Sequence, residues 1–533
     1  MNLASLTVGL FLFLADPAEI DRLYPLDAQL KVLADDVASP RYRKRVLEEM
    51  LNTDLNAEWQ RVETVDNADS FLEKHGGKDK VLADPKLKQA YERRLEIRKQ
   101  YLDLMREGYQ RFKKPAPFDT GAIAEKAATV AAKSTAPPVP VSIVYPSPGA
   151  EQQWPRFRGP DGQGITRTHN LPTTWSETEN IVWRTLLPGN GNSSPIIWNQ
   201  RIFLTSSGEA GKERSLHCLD RKEGKLLWTR TVPDHDVEPN VRDKNGYASA
   251  TPITDGERVI AFFGNGGLVC YDFDGKPLWH FPMPEFQTTW GTGASPLLYE
   301  DQVILVHDQN KADSLMLALD KRSGKLLWRH TRPKAMGWAT PVVVRVGDRD
   351  ELVYPGGTTV KGYDPRSGRE LWSVGGATVE VVPSVLVGKD TIYSASGRQG
   401  PTLAIRPGGN GDVSSTHLLW RTPRGGPHVP TPILVQGRIY AINDTGIVTC
   451  LNADDGKLVW QARLGESFSA SPIECDGLLY CCSEEGKVYI LRCGDKLDVV
   501  AENDMGAPIL ASPAALDSRL YIRTARELVC VGK

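Results

Sequence analysis

An eleven-residue pattern that recurs through the C-terminal part of the chain constrains its fold more than any other feature. Its clearest copy is residues 318–328, in which an Asp opens a polar turn, a Gly stands at the seventh place and a Trp at the eleventh. Gly supplies the positive φ of a tight turn between two strands. Three further copies and two length variants follow the same order: residues 218–228, 362–372, 450–460, 270–279 and 404–420. Such self-similarity predicts a repeat architecture.

A second motif gives the number of repeats. A Ser or Thr followed by Pro, with one variant, opens an apolar alternating strand at eight places, mostly 40 to 49 residues apart: Ser194-Pro195, Thr251-Pro252, Ser295-Pro296, Thr340-Pro341, the variant Val382-Pro383, Thr431-Pro432, Ser471-Pro472 and Ser512-Pro513. Four short strands fit into each repeat. This is typical of a propeller blade, whereas solenoid repeats of that length are helical.

The eighth repeat is short by one strand. It holds predicted strands at residues 519–523 and 527–531, and an unassigned strand carrying Trp183 lies upstream at residues 180–186. If that strand completes the last blade, the ring closes and no sheet edge is left unpaired there. We therefore predict an all-β, eight-bladed β-propeller over residues 154–533, whose N- and C-terminal strands share the last blade.

The motif Ala-x-Asp-x-x-x-Gly-Lys-x-x-Trp resembles the tryptophan-docking motif of the pyrroloquinoline quinone (PQQ) repeat propellers. The segment from Trp154 to Gly164 resembles the lead-in of the PQQ-binding-like propellers. That family includes quinoprotein alcohol dehydrogenases and BamB-like propellers, and the resemblance covers about the last 380 residues. It implies that the motif tryptophans stack between adjacent blades as structural residues: Trp183, Trp228, Trp279, Trp328, Trp372, Trp420 and Trp460.

The first 153 residues differ in character from the propeller. Residues 3–15 are apolar, too short to span a bilayer, and suit the core of a signal peptide, so we assign residues 1–17 to a signal; a buried N-terminal helix is the alternative. Residues 18–114 predict a small α-helical region, clearest at 87–112, where Asp84-Pro85 supplies the cap. Residues 115–153, rich in Ala, Pro, Thr and Val, predict an extended linker that is not packed.

The net charge and the N-terminal segment also bear on the partner and on the location of the protein. The net charge is −2 and the pI about 6.5, so no basic field argues for nucleic acid as a partner. A signal peptide places the protein in the periplasm or another extracytoplasmic compartment, and it is cytoplasmic if the apolar stretch is not a signal. We expect no transmembrane span in the mature chain, and a monomer.

The cysteines and the longest polar insertion offer little chemistry. Four cysteines occupy equivalent strand positions, which predicts small buried residues, not a disulfide framework: Cys218, Cys270, Cys450 and Cys530. Cys481-Cys482 invites comparison with the adjacent-Cys disulfide of quinoprotein alcohol dehydrogenases, but neighbours in a strand point to opposite faces. The insertion at residues 231–243 could ligate a cation through Asp234, His235, Asp236 and Glu238. The spacing of these residues fits no EF-hand or zinc pattern, so we favour a solvated loop and predict no metal.

Function is sought in the loops that precede the eight Pro anchors, because loops at one face of a rigid propeller are free to vary. Aromatic, amide, carboxylate and imidazole groups there could form a funnel that binds a peptide or a small polar molecule. Alternatively, the same side chains simply plug the channel. The candidate funnel residues are Asn192, Tyr247, Trp290, Trp338, Glu380, His428 and Phe468.

Two functions remain open from the sequence. The first is a non-catalytic, BamB-like protein-binding or scaffold propeller with no catalytic residue and no cofactor. The alternative is a PQQ-dependent quinoprotein oxidoreductase, similar to alcohol or sugar dehydrogenases. The resemblance implies that such an enzyme would hold PQQ and Ca²⁺ in a minimal site in the funnel. Lean blades with one modest insertion favour the first, because the enzymes cover their cofactor with long insertions.

Overall fold

The structure, a computed structural model, describes residues 78–88 and 134–533, apart from positions 209, 239, 240, 242, 243, 287 and 289. The chain divides into two units, Met1–Asp119 and Thr120–Lys533. In the first unit a helix spans Lys78–Ala83. The Asp84 carboxylate then accepts the backbone N–H of Lys86 at 2.8 Å, which is the predicted cap. The predicted signal peptide, residues 18–77 and most of the helix predicted at 87–112 lie outside the described residues.

In the described part of the second unit, seven four-stranded antiparallel sheets and the central four strands of a six-stranded sheet form eight blades, which confirms the eight-bladed propeller. Blades 1 and 2 comprise Ile196–Trp198, Arg201–Ser207, Arg214–Asp220, Leu226–Thr231, and Ile253–Thr254, Arg258–Phe262, Leu268–Asp272, Pro277–Phe281. Blades 3 and 4 comprise Leu297–Tyr299, Gln302–His307, Ser314–Asp320, Leu326–Arg332, and Val342–Val346, Arg349–Gly356, Thr359–Tyr363, Glu370–Gly375. In every blade the four strands follow each other from the channel outwards, and in blade 4 an additional short strand pairs with each edge.

Blades 5 and 6 comprise Leu386–Val387, Ile392–Ala395, Thr402–Ile405, Leu418–Arg421, and Ile433–Val435, Arg438–Ile442, Ile447–Asn452, Leu458–Arg463. Blades 7 and 8 comprise Ile473–Cys475, Leu478–Cys482, Lys487–Arg492, Val499–Asp504, and Ala514–Leu516, Arg519–Arg523, Glu527–Val531, Ile181–Leu186. In blade 8 the upstream strand pairs antiparallel with Glu527–Val531, and Trp183 lies opposite Cys530. The predicted closure of the ring is therefore confirmed.

Several shorter elements lie outside the four-stranded blades. They are the strands Val141–Ile143, Met336–Gly337, Glu380–Val381 and Gly411–Asp412, the helix Ser414–His417, and 3-10 turns at Ala150–Gln152 and Gly264–Gly266. No helix in the described part of the chain is long and apolar enough to cross a bilayer. We call the side that carries the second-to-third-strand loops and the connections between blades the loop face. The opposite side is the turn face.

The core is a ring of apolar clusters, each of which lies between neighbouring blades. Phe203 of blade 1 packs with Val259 of blade 2, for example, and both are fully buried. The cysteines at equivalent positions belong to these clusters: Cys218, Cys270, Cys450 and Cys530 are all fully buried and all carry free thiols. The prediction of small core residues is confirmed for them.

A belt of hydroxyl groups joins the blades around the channel. In seven successive blade pairs, the backbone N–H of one anchor residue donates to the side-chain oxygen of the next, at 2.9 to 3.2 Å: Ser194, Thr251, Ser295, Thr340, Ser384, Thr431, Ser471 and Ser512. Arg523 closes the remaining junction by donating to the Ser193 carbonyl at 2.9 Å. In blade 5 the anchor is Ser384 and not Val382-Pro383, since only Ser384 offers the hydroxyl that the belt needs.

Most of the motif tryptophans dock on the next blade. The Nε1–H of five donates to a carbonyl in the neighbouring turn at 2.9 to 3.1 Å: Trp183, Trp228, Trp279, Trp420 and Trp460. The turn glycine must lack a side chain, because a Cβ on Gly324 would lie 2.7 Å from the Trp279 ring. The Trp328 ring likewise lies against Gly368, although its Nε1–H donates within its own blade to Gln302 at 2.9 Å.

Trp372 differs from the other motif tryptophans in its hydrogen bond. Its ring is fully buried in the apolar cluster between blades 4 and 5, but its Nε1–H donates to the Glu351 carboxylate of its own blade at 2.7 Å. The cause is the insertion in the next blade. Gly411–Asp412 pairs with Trp372 and Ser373 as a parallel strand, so the turn on which Trp372 would dock has been replaced.

For residues 134–153, the prediction of an unpacked linker is wrong. Val141–Ile143 pairs antiparallel with the inner strand Val342–Val346 of blade 4, and Ala150 is fully buried. The Val141 N–H donates to the Lys389 carbonyl of blade 5 at 2.8 Å. Backbone pairing thus overrides the tether-like composition. Residues 115–133 lie outside the described residues.

Candidate functional site

The turn face of the channel is closed by the chain's own lead-in, residues 154–164, which we call the plug. Trp154 exchanges two backbone hydrogen bonds with Ile197 of blade 1, and Pro155 accepts from Thr254 of blade 2. At its deepest point Arg158, 1% exposed, donates to carbonyls of blades 6 and 7. Gln163 donates to blade 5 through the Val385 carbonyl at 3.4 Å. The plug is therefore held by inner strands around the ring.

Two of the predicted tryptophans lie together on the loop face. The Trp338 Nε1–H donates to the Gly291 carbonyl at 2.9 Å, which fixes it beside the loop that carries Trp290. The Asn245 side chain of the insertion donates to the Trp290 carbonyl at 2.6 Å. Both indole side chains remain partly exposed. Blades 3 and 4 thus offer adjoining aromatic surfaces.

A parallel two-stranded ribbon joins these tryptophans to the carboxylate of blade 5. Met336–Gly337 pairs with Glu380–Val381, and the Trp338 N–H donates to the Val381 carbonyl at 2.8 Å. Because the ribbon spans two successive connections between blades, Trp338 and Glu380 are neighbours in space although 42 residues separate them in the sequence. The backbone fixes their relative position.

Glu380 is the centre of an ionic cluster with Arg398 and His428. Its carboxylate is 12% exposed, forms an ion pair with Arg398 and lies 3.3 Å from His428 Nε2. Burial alone would raise the pKa of Glu380, but hydrogen bonds from His428 and Arg398 outweigh it and hold the pKa at about 2. The cluster therefore carries a fixed negative charge between the Arg398 guanidinium and the His428 imidazole. Arg398 remains 56% exposed.

The loop that carries Arg398 is held in an uncommon conformation. Arg398 and Gln399 have φ values of 52° and 58°, which are left-handed and disfavoured for non-glycine residues. The Gln399 carbonyl accepts the Gly425 N–H at 2.9 Å, so blade 6 holds this loop in place. Such strain persists only where surrounding contacts impose it, and it accumulates at functional sites. Here it orients Arg398 towards Glu380.

Tyr247 and the acidic insertion have a structural role. Glu238, 3% exposed, forms an ion pair with the buried Arg214 and accepts the Asn265 N–H at 2.6 Å. The Tyr247 ring covers the same guanidinium, and the Arg214 Cζ atom lies 4.9 Å from the centroid of that ring. The insertion is therefore anchored at Glu238, and the solvated-loop prediction is wrong for that residue. Of the other three candidate ligands, Asp234 and Asp236 are exposed and His235 is partly exposed.

Beyond its anchor, the insertion crosses the loop face. The Asn192 amide donates to the Lys244 carbonyl at 2.6 Å, and the Lys244 ammonium lies 2.5 Å from a carboxylate oxygen of Glu484. Asn192 belongs to blade 1, Lys244 to the connection into blade 2 and Glu484 to blade 7. This strap, residues 232–250, thus bridges the side of the channel formed by blades 7, 8, 1 and 2.

Phe468 is not part of the site, and that prediction is wrong. Its side chain is fully buried and packs in the cluster between blades 6 and 7, 6.2 Å from Tyr489. The loop turns the Phe468 side chain inward because the Phe468 N–H donates to the Asp444 carbonyl and the Ser467 N–H donates to the Glu485 carboxylate. Trp290, Trp338, Glu380 and His428 form a continuous arc over blades 3 to 6, whereas Asn192 and Tyr247 belong to the strap side.

The residues present do not fit PQQ with Ca²⁺. Each buried carboxylate near the loop face already has a cationic partner: Glu380 with Arg398, Asp308 with Arg332, and Glu238 with Arg214. Within the described residues, no group of three or more His, Cys, Asp or Glu side chains is arranged to hold a metal ion. Cys481 and Cys482 are buried free thiols that point into different blade interfaces.

Two cavities lie on the turn face, away from the arc. One, of about 540 Å³, is lined by the Tyr145 region and by Glu300, Asp301 and Lys321 of blade 3. The other, of about 390 Å³, lies between the Val139 region and the insertion of blade 5. Both are wide open and follow the path of residues 134–153, so they are gaps beside that segment. The arc is a surface and not a pocket.

Comparison with known proteins agrees with this architecture. A family model described as outer membrane protein assembly factor BamB matches residues 212–428 and 356–498, together more than half of the chain. BamB of Yersinia pestis is 22% identical over 342 residues, which cover 60% of this chain and 80% of the relative. BamB of Burkholderia pseudomallei is 24% identical over 358 residues, covering 57% and 85%.

Solved structures show the same fold. BamB from Moraxella catarrhalis aligns with a TM-score of 0.50 at 15% identity, covering 66% of this chain and 97% of that one. A europium-containing methanol dehydrogenase aligns with a TM-score of 0.56 at 11% identity, covering 71% and 91%. At these identities the likeness concerns the propeller and not its chemistry. With the family match covering most of the blades, the chain belongs to the PQQ-repeat propeller family described as outer membrane protein assembly factor BamB.

Proposed function

We propose that this protein is an extracytoplasmic, non-catalytic binding or scaffold propeller that holds a protein partner at its loop face. The arc of Trp290, Trp338, Glu380 and His428 carries this proposal, since it combines partly exposed aromatic groups with a fixed ionic cluster. Aromatic anchors of this kind dominate the binding energy of protein interfaces. The names of the relatives, factors of outer membrane protein assembly, support a partner in the cell envelope.

The arc is tested by removing its aromatic groups. Trp290→Ala and Trp338→Ala should each weaken partner capture from an envelope extract by about 2 kcal/mol or more, while the melting temperature changes little. Trp328→Ala is the matched control. It removes a docking tryptophan and should cost about 3–5 kcal/mol of stability. Strong destabilisation by both arc variants would mean that these tryptophans plug the channel, and the proposal would fail.

We further propose that the protein works without PQQ, because the buried carboxylates near the loop face are neutralised by arginines. The alternative function, a PQQ-dependent oxidoreductase, is tested by adding PQQ and Ca²⁺ and following quinone absorbance and dye reduction. We expect neither saturable binding nor turnover. Ca²⁺-dependent dye reduction with an alcohol or sugar would establish the alternative.

The proposed location rests on the apolar residues 3–15, whose length suits a signal-peptide core. Alkaline phosphatase fused to residues 1–30 should be active, because that enzyme needs an oxidising compartment for its disulfides. An inactive fusion that is expressed at normal levels would place the protein in the cytoplasm.

A further inference from the structure

Charge is distributed unevenly over the loop face. In the loop-face segments of blades 4 to 6, the exposed charged side chains are Lys334, Arg398 and Arg424, and all three are cations. The acids of these segments are Glu380 and Asp444. Because the three cations project outward, this sector presents a positive surface directly beside Trp338.

Both acids of this sector are already engaged. The Glu380 carboxylate is 12% exposed and lies between Arg398 and His428. An oxygen of the Asp444 carboxylate accepts the backbone N–H of His428 at 2.8 Å. Neither acid is therefore available to repel a negatively charged partner. The outward charge of blades 4 to 6 is set by the cations.

The opposite sector has the reverse character. The loop-face segments of blade 7 contain three acids and no cation: Glu466, Glu484 and Glu485. Two of these acids have cationic partners, since Lys244 of the strap pairs with Glu484 and Lys487 of blade 7 lies 3.5 Å from Glu466. The strap itself exposes Asp234 and Asp236. This sector therefore offers an acidic partner less attraction than blades 4 to 6.

We infer that the partner places an acidic peptide segment over blades 4 to 6 and presents an apolar group to Trp290 and Trp338 beside it. This inference rests on the proposed function and adds the chemical class of the partner. Opposite charges across an interface direct encounter and fix orientation, whereas aromatic anchors supply affinity. The mixed surface of cations beside two tryptophans suits a segment in which acidic residues flank an aromatic or aliphatic one.

The probe is a fluorescent decapeptide of Asp and Glu with a central Trp. Its controls are a neutral version with Asn and Gln, a basic version with Lys, and an oligonucleotide of equal charge. Fluorescence anisotropy is measured at 20 and 300 mM NaCl, since screening shortens the range of exposed charges from about 20 Å to below 10 Å over this interval. We expect the acidic peptide to bind best, and to weaken with salt.

Charge-neutralising variants locate the binding surface. Lys334→Gln with Arg424→Gln should weaken binding of the acidic peptide about fivefold at low salt, as expected for two exposed charge pairs. The matched control, Lys212→Gln with Arg526→Gln, makes the same charge change at exposed positions of the loop face on blades 1 and 8. It should change binding less than twofold.

Each outcome decides a separate point. Equal binding of acidic and neutral peptides, equal loss in both double variants, or no binding of any peptide would overturn the acidic-segment inference. Tighter binding of the oligonucleotide would overturn it in favour of a nucleic acid. If the partner captured from the envelope is lost in Trp338→Ala but unaffected by Lys334→Gln with Arg424→Gln, the proposed function stands and this inference alone fails.

Discussion

Two arginines of the plug should respond in opposite ways to the same substitution. Arg158 and Arg156 stand two residues apart, and their side chains are 1% and 2% exposed. The Arg158 guanidinium donates five hydrogen bonds of 2.7 to 3.3 Å to backbone carbonyls: Gly162, Gln163, Thr431, Pro432 and Pro472. Arg158→Met would keep the volume and remove every donor.

The expected loss at Arg158 follows from these contacts. Each buried carbonyl left without a donor costs about 1 kcal/mol, roughly 5 kcal/mol in all. Relief from burying a cation, which is expensive in a dry interior, offsets part of this, so the net loss should be about 3 kcal/mol. Since unfolding entropy is about 2.1 cal/mol/K per residue, a propeller of this size should melt about 4 °C lower.

Arg156 has little to lose. Its Nη2 lies 3.5 Å from the Pro341 carbonyl, and Nε and Nη1 find no hydrogen-bond partner among the described residues. Burial lowers the pKa of Arg156 to about 10 and that of Arg158 to about 9, while the nearby Asp161 carboxylate opposes both shifts, so the two arginines differ in hydrogen bonding and not in desolvation. Replacing a buried charge that has so few hydrogen bonds by an apolar group of similar size is often neutral or stabilising by about 1 kcal/mol or more. Arg156→Met should therefore melt at or above the wild-type temperature.

Differential scanning calorimetry of the wild type and the two variants tests this reasoning, with Arg158→Lys as a further variant. Lysine keeps the charge but offers three donors from one atom, so it should recover little of the loss. Equal destabilisation at both positions would refute the argument from hydrogen-bond satisfaction. A larger loss at Arg156 would show that the charge of the nearby Asp161 carboxylate stabilises its guanidinium.

Three further results are expected. The partners of Glu380, Arg398 and His428, hold its pKa at about 2. The stability that this pKa shift contributes is therefore present above about pH 4.5 and is lost as the pH falls towards 2. In urea melts, Glu380→Gln should lack this dependence of stability on pH. Gly324→Ala should destabilise far more than Gly477→Ala in thermal melts, since both have positive φ but only Gly324 faces the Trp279 ring. Deleting residues 154–187 should abolish cooperative melting, because it removes both the plug and the fourth strand of blade 8.

The blades could be predicted because their signals are local and repeated. Strands predicted in blade 8 at residues 519–523 and 527–531 coincide with those observed, since the turn glycines and alternating apolar residues fix register over a few positions. Trp372 shows the limit of this logic. Its motif is intact, but whether it docks depends on the turn of the next blade, which the Gly411–Asp412 insertion has replaced.

The site was predictable only in outline. Topology places every connection between blades on one face, which is why Trp338, Glu380 and His428 could be named from the sequence. Orientation depends on long-range contacts that periodicity does not encode. Phe468 occupies a comparable loop position, yet the backbone N–H groups of Phe468 and Ser467 donate to Asp444 and Glu485, and these hydrogen bonds turn its side chain into the core. The loop of Arg398, which carries no sequence motif, was missed for the same reason.

The plug and the strap together explain why recognition should be confined to one sector. The plug closes the turn face of the channel, held through Arg158 by blades 6 and 7. The strap, fixed by Glu238 and by the ion pair of Lys244 with Glu484, bridges the opposite mouth on the side of blades 7, 8, 1 and 2. A ligand that needed the channel would have to displace one of them. A partner that binds the open arc of blades 3 to 6 displaces neither, and this favours a surface contact over a channel-bound cofactor.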